Sequence, residues 1–183
     1  DYGELLIPPT GFRLSRAIAT TFSLDLNTLL SIPIALHFAQ TLEGSVKGNE
    51  IHLLHAISET ARKLTIYHQA GQIKVPDNAC DLFAYYEEAL VPIQMPDAYA
   101  AFHPKTWLLR FEHNENAADI CYRLIVLSRN LTFDRSWDVA TYFDGEVRNS
   151  TIRRTKPLVD FHRWLLTHGG ATENDAVLKE LAN

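Results

Sequence analysis

Hydrophobic and polar positions along the chain switch between two periods, and the switches outline the elements. β-Formers dominate the early stretch (Ile18, Thr20, Thr21, Phe22, Leu24), predicting a strand over Arg13–Leu26. Asp25 to Thr28 offers helix caps. Leu29–Gln40 then reads as a mostly apolar helix with Pro33 near its first turn, where a missing N–H costs little. Leu53, Leu54, Ile57 and Ala61 recur at helical spacing, predicting a helix over Ile51–Lys63, followed by a short strand at Leu64–His68. Leu82, Phe83 and Tyr86 predict an amphipathic helix over Ala79–Leu90, with a short extended segment at Val91–Met95.

Two strands follow, Phe102–Phe111 and Tyr122–Leu131, expected to form a hairpin through Glu112–Ile120. Ser136–Phe143 reads as one more strand, closed by the turn dipeptide Asp144-Gly145. The stripe Leu158, Phe161, Trp164 and Leu165 predicts a helix capped by Thr155, with Pro157 early and Gly169-Gly170 as its stop; Thr172–Leu181 predicts a last short helix. Helices alternate with strands early and a meander of strands comes later, so the expected class is α/β, a mixed sheet with helices on its faces.

The chain has 183 residues, the size of a single domain, with 46% hydrophobic and 21% charged residues. It starts at Asp1 without a methionine and is expected to be a piece of, or excised from, a longer polypeptide. A formal charge of -5 argues against a protein that coats nucleic acid non-specifically, while leaving room for a local basic cleft. No apolar run is long enough for a bilayer span and no signal peptide is visible, so no membrane partner and a cytoplasmic location are expected. Cys80 and Cys121 lack metal-ligand spacing and read as buried free thiols in a reducing compartment. His52 and His55 sit three apart without an evident third ligand, so no metal and no cofactor are expected.

The chemistry is concentrated in the hairpin. His103 and Lys105 are two residues apart, so on a strand both leave one face; Ser128 and Asn130 repeat that spacing on the partner. Paired strands then gather a nucleophile or base, a cation and two hydrogen-bonding groups, a set suited to a phosphate ester. A phosphodiester repels anionic nucleophiles, so its attack needs neutralisation of the non-bridging oxygens. Lys105 supplies charge, Ser128 and Asn130 supply oriented polar groups, and His103 can attack as neutral imidazole. Asp138, at the start of the next strand, is the candidate for orienting that imidazole.

His103-x-Lys105 followed by Ser128-x-Asn130 resembles one half-site of the phospholipase D superfamily, whose motif is H-x-K-x4-D followed by G-S-x-N. The stretch also resembles the tyrosyl-DNA phosphodiesterases, whose motif lacks that aspartate. Here the aspartate's slot holds Arg110 and the glycine's holds Leu127. The run from Ser128 to Asp138 is similar to bacterial phospholipase D-like proteins of nucleic-acid processing and defence. The resemblance implies an α/β/α sandwich with a mixed, partly parallel sheet. It also implies a metal-independent phosphodiesterase, a nuclease acting on DNA or RNA through a covalent phosphohistidine. Members of the superfamily pair two half-sites, one histidine serving as nucleophile and the other as general acid. None of the other histidines here is followed two positions on by lysine, so the second half is expected from a homodimer partner or from further sequence. Two other readings share these residues: a phospholipase, and a non-catalytic module of a larger protein that binds phosphate or nucleic acid or dimerises.

Overall fold

The computed structural model describes residues 2–32, 50–78, 80–97, 99–133, 137–147 and 153–169. The predicted helix Thr172–Leu181, the second half of the predicted helix Leu29–Gln40, and Ser136 lie outside them. The described strands are β1 (Phe12–Thr21), β2 (Leu24–Asp25), β3 (Leu64–Gln69), β4 (Ile73–Lys74), β5 (Leu90–Ile93), β6 (Thr106–His113), β7 (Ile120–Leu127) and β8 (Ala140–Glu146). The helices are α1 (residues 26–32), α2 (Glu50–Lys63) and α3 (Lys156–His168), with a 3-10 helix at Asp81–Ala89.

Six strands form one mixed sheet in the order β5-β3-β1-β6-β7-β8. β5, β3 and β1 run parallel, and β6, β7 and β8 continue antiparallel. The α/β class is therefore observed. Alternation along the strands sorts the core into two layers. Trp107, Leu109 and Phe111 of β6 join Ala17, Ala19, Leu64 and Ile66 in a large apolar cluster under α1, α2 and the 3-10 helix. Leu108, with Ile18 and Tyr67, faces the other way and packs under Leu165, Phe161 and Trp164 of α3.

β1 carries one extra residue, Ser15. Leu14 pairs with Phe111 and Arg16 with the very next residue of β6, Arg110. This bulge shifts the phase of the strand. Leu14 and Ala17, an odd number of positions apart, both reach the same core.

Several expectations change in the folded chain. The predicted strand Arg13–Leu26 breaks at Phe22-Ser23, and its end pairs with β4 in a separate two-stranded sheet. The predicted helix 79–90 is a 3-10 helix. Its two buried residues, Tyr86 and Ala89, are three positions apart, the period of that helix. Asp144-Gly145 lies inside β8, because Arg123 opposite Asp144 grips the carboxylate with two guanidinium nitrogens (2.7 and 2.9 Å). Thr155 precedes α3 without a side-chain capping hydrogen bond, while Gly169 ends it as expected. A Cβ at Gly169 would stand only 2.6 Å from Tyr67 and 2.7 Å from Val91. The thiols are free but not buried: Cys80 is exposed and Cys121 half-exposed.

Candidate functional site

The four motif residues flank strands rather than ride on them. β6 begins at Thr106, after His103 and Lys105. Pro104 has no N–H for a ladder, which favours an irregular lead-in. β7 ends at Leu127, before Ser128 and Asn130. Because β6 and β7 are antiparallel, both lead-in and exit fall on one rim of the sheet. The Leu127 N–H donates to the Lys105 carbonyl (2.9 Å), tying the two halves of the motif together.

On that rim the Lys105 ammonium stands 3.0 Å from Nδ1 and 3.3 Å from Nε2 of His103, and donates to the His103 carbonyl (3.2 Å). The nitrogen contact suits a neutral imidazole that accepts from an ammonium. Partial burial holds the Lys105 ammonium below the usual lysine range. The exposed His103 ring lies against Phe22, with centroids 5.1 Å apart.

Ser128 is engaged with backbone: its Oγ accepts from the Val139 N–H (2.9 Å), and its own N–H donates to the Val139 carbonyl (3.0 Å). It stitches the exit of β7 to the approach of β8. Asn130 is half-buried, and its Oδ1 is buried with no hydrogen-bond partner in the structure. An unsatisfied buried amide oxygen costs about 1–3 kcal/mol, the kind of cost that accumulates at functional sites. Asp138 forms an ion pair with Arg129 (3.0 Å), and Arg129 also donates to the Thr132 carbonyl (2.6 Å).

Residues not singled out as site residues from the sequence hold this rim in place. Thr20 at the end of β1 accepts from the Thr106 N–H (3.0 Å) and shares a hydrogen bond with its hydroxyl (2.8 Å). Thr21 accepts from the N–H of Leu131, beside Asn130 (3.1 Å). The Asp25 N–H donates to the Leu131 carbonyl (2.8 Å), so that residue is clamped from both sides. Gln69, ending β3, accepts from the Phe102 N–H (2.7 Å) next to His103. Phe102 is buried against Trp164 of α3, the rings stacked at 5.9 Å. The available sequence signal was the polar pair Thr20-Thr21 closing an apolar strand.

Arg110, in the slot of the motif aspartate, takes no part in the rim. It is buried within β6, donates to Ser15 Oγ (2.7 Å) and pairs with Glu112. Of the two tryptophans near the motif, Trp107 is core and Trp137 is fully exposed. No cluster of three or more metal-ligating side chains occurs among the described residues, and no described helix is long and apolar enough to cross a membrane.

A mixed sheet between two helical layers is the arrangement expected from the motif's resemblance. A solved structure of yeast tyrosyl-DNA phosphodiesterase, in a mutant form, superposes with a TM-score of 0.58. The match covers 93% of this chain and 34% of the other at 15% identity, so the likeness is one of fold. The chain spans about a third of that protein's length. No protein-family model matches the sequence, and no curated protein matches it.

Proposed function

We propose that this chain carries half of a phosphodiesterase active site, acting on DNA or RNA without a metal and completed by a second half-site. The observation that supports it most is the Lys105–His103 contact on the rim shared with Asn130. A phosphate arriving there offers the ammonium better acceptors than an imidazole nitrogen. Lys105 then moves onto a non-bridging oxygen and frees the ring. An imidazole nitrogen attacks phosphorus, forming a P–N bond as the P–O bond to the leaving group breaks. The leaving oxygen takes a proton from an acid on the second half-site. Water then attacks phosphorus, giving its proton to the base left on the second half-site, the P–N bond breaks, and His103 is regenerated with release of a phosphomonoester. Asn130 directs its amide toward the phosphoryl oxygens. Ser128 braces the strand exit, and Asp138 acts by holding Arg129 at the rim.

The second half-site fits a partner copy or further sequence. β8 is the sheet's outer strand, every residue of it is exposed, and Tyr142 and Phe143 lie among them. Trp137 and Val139, at the rim end of that strand, are exposed as well. Exposed apolar side chains on both faces of the outer strand favour a covering body beside the candidate site.

The test is hydrolysis of a phosphodiester, first bis(p-nitrophenyl) phosphate and then a labelled oligonucleotide. His103→Ala is expected to lower turnover by about 10³-fold or more, while EDTA leaves the wild type active. Unchanged turnover in the alanine variant would falsify the reading.

A further inference from the structure

The opposite end of the sheet holds a second concentration of charge that the rim does not use. β1 and β6 are the two central strands, where a sheet face is ordinarily apolar and covered. Toward the far end of their shared face Arg16 stands directly opposite Arg110, and Arg13 opposite Glu112. The bulge at Ser15 makes this possible: in a regular strand of the same sequence, Arg13 and Arg16, three apart, would leave opposite faces. Arg110 itself is more than nine-tenths buried. With Lys63, at the end of α2, these side chains line a cleft of about 350 Å³. Its lining on β6, from Arg110 to Glu112, lies about 16 to 23 Å along the strand from Lys105, at roughly 3.3 Å per residue.

The charge balance of the cleft is lopsided. Arg13, Arg16, Lys63 and Arg110 face one lining carboxylate, Glu112. Glu112 pairs with both Arg110 and Arg13, and the Arg110 guanidinium, more than any other group, holds its carboxyl below the usual range. Glu59, outside the cleft, is shared between Arg62 and Lys63. Arg16 donates to the Arg62 carbonyl (2.8 Å), a neutral acceptor that leaves its charge uncompensated. Like charges directly opposite on neighbouring strands destabilise a sheet. Here such a pair occupies the centre of the sheet in a chain of net charge -5.

We propose that this cleft is a binding site for a tetrahedral phosphate-class oxyanion, separate from the catalytic rim. Guanidinium forks match such an oxyanion with paired N–H donors, and Lys63 adds a point charge. The ligand offsets the Arg16–Arg110 repulsion. It is either free phosphate or a phosphate group on a nucleic-acid strand. The site does not depend on the rim's being catalytic.

The test measures thermal unfolding of the full chain and calorimetric binding in inorganic phosphate against chloride at matched ionic strength. A Lys105→Ala background removes the rim as an anion site. Phosphate is expected to raise the melting temperature in that background. Adding Arg16→Gln should leave stability in chloride unchanged or raised, by removing the like-charge pair, and weaken phosphate binding about tenfold. Lys63→Gln, at the cleft mouth, serves as a second variant if the first fails to fold, and it too should weaken binding. Equal stability in phosphate and chloride overturns the site, as does phosphate stabilisation that survives both variants. A 5′-phosphorylated hexathymidylate tested beside inorganic phosphate identifies the source. Tighter binding of the oligonucleotide, lost with Arg16→Gln, assigns the cleft to a strand, and equal binding assigns it to free phosphate.

Discussion

The two faces of the sheet are built to different standards. The face under α1 and α2 is closed by a cluster from Leu6 to Leu131, with Trp107 and Phe111 fully buried at its centre. The face under α3 is closed only in its middle, where Ile18, Tyr67 and Leu108 meet Leu165. To one side of α3 an apolar groove of about 450 Å³ runs between Leu158 and Phe143, and at the far end Arg13, Arg16 and the buried Arg110 line an open cleft. One face holds the larger buried core and the other is only partly covered. The candidate catalytic rim lies between them and takes support from both, Thr21 aligning with the first face and Thr20 with the second.

Neighbouring residues of β6 put this contrast to its most forceful test. Trp107→Ala should cost about 4 kcal/mol, the range of large aromatic truncations in a filled core, and Leu108→Ala about 2 kcal/mol. Urea unfolding monitored by circular dichroism measures both. A Leu108 loss equal to or greater than that of Trp107 would mean that the α3 face is the principal core.

A smaller effect is expected at the rim. Thr21→Val leaves the buried N–H of Leu131 without its acceptor and should cost about 2 kcal/mol; Thr20→Val, whose bonds are only partly buried, should cost about 1 kcal/mol. The same unfolding series reads both, and a reversed order would place the firmer hold on the α3 side.

The smallest effect comes from two buried histidines, one on each face. His68 aligns with Thr21 on β3. His162 sits in α3 with Nδ1 2.8 Å from the Leu158 carbonyl. Burial lowers both below the ordinary value of 6.5, more strongly than their backbone hydrogen bonds raise them. Below pH 6.5 the unfolded chain therefore takes up protons that the folded chain refuses, and stability falls as the pH falls. The slope is at most about 1.4 kcal/mol per pH unit for each histidine, ending at its folded pKa. Unfolding midpoints at pH 7.5 and 5.5 should differ less in His162→Gln and in His68→Gln than in the wild type. A midpoint independent of pH would show that neither histidine is held neutral.

Much of this architecture was legible in one dimension. Alternation in β6 and β7, the stripe of α3 and its glycine stop identified layers and order, and His103, Lys105, Ser128 and Asn130 flank the same end of the β6–β7 pair. The supports of that rim were not legible, because Thr20–Thr106, Thr21–Leu131 and Gln69–Phe102 join residues distant in sequence. Asp144-Gly145 has the composition of a turn and becomes ladder only because Arg123 lies opposite. The arginine cleft was hidden for another reason. Arg13 and Arg16 are three apart, which on a regular strand sends them to opposite faces, and nothing in the local composition announces the extra residue between them.

That residue also decides which accidents of heredity the chain can survive. Loss of one codon in a surface loop shortens a connection and little else. Loss of the Ser15 codon would act in the same way, because it removes the bulge itself, and β1 would run in regular two-residue alternation with both ends still in register with β6. With Ala17 to Thr21 held against β3, Leu14 would keep its place in the core and Arg13 its place outside, and what is lost is the acceptor that Ser15 gives Arg110. An alignment of descendants should therefore accept a gap at this position more readily than in the regular stretch from Ala17 to Thr21.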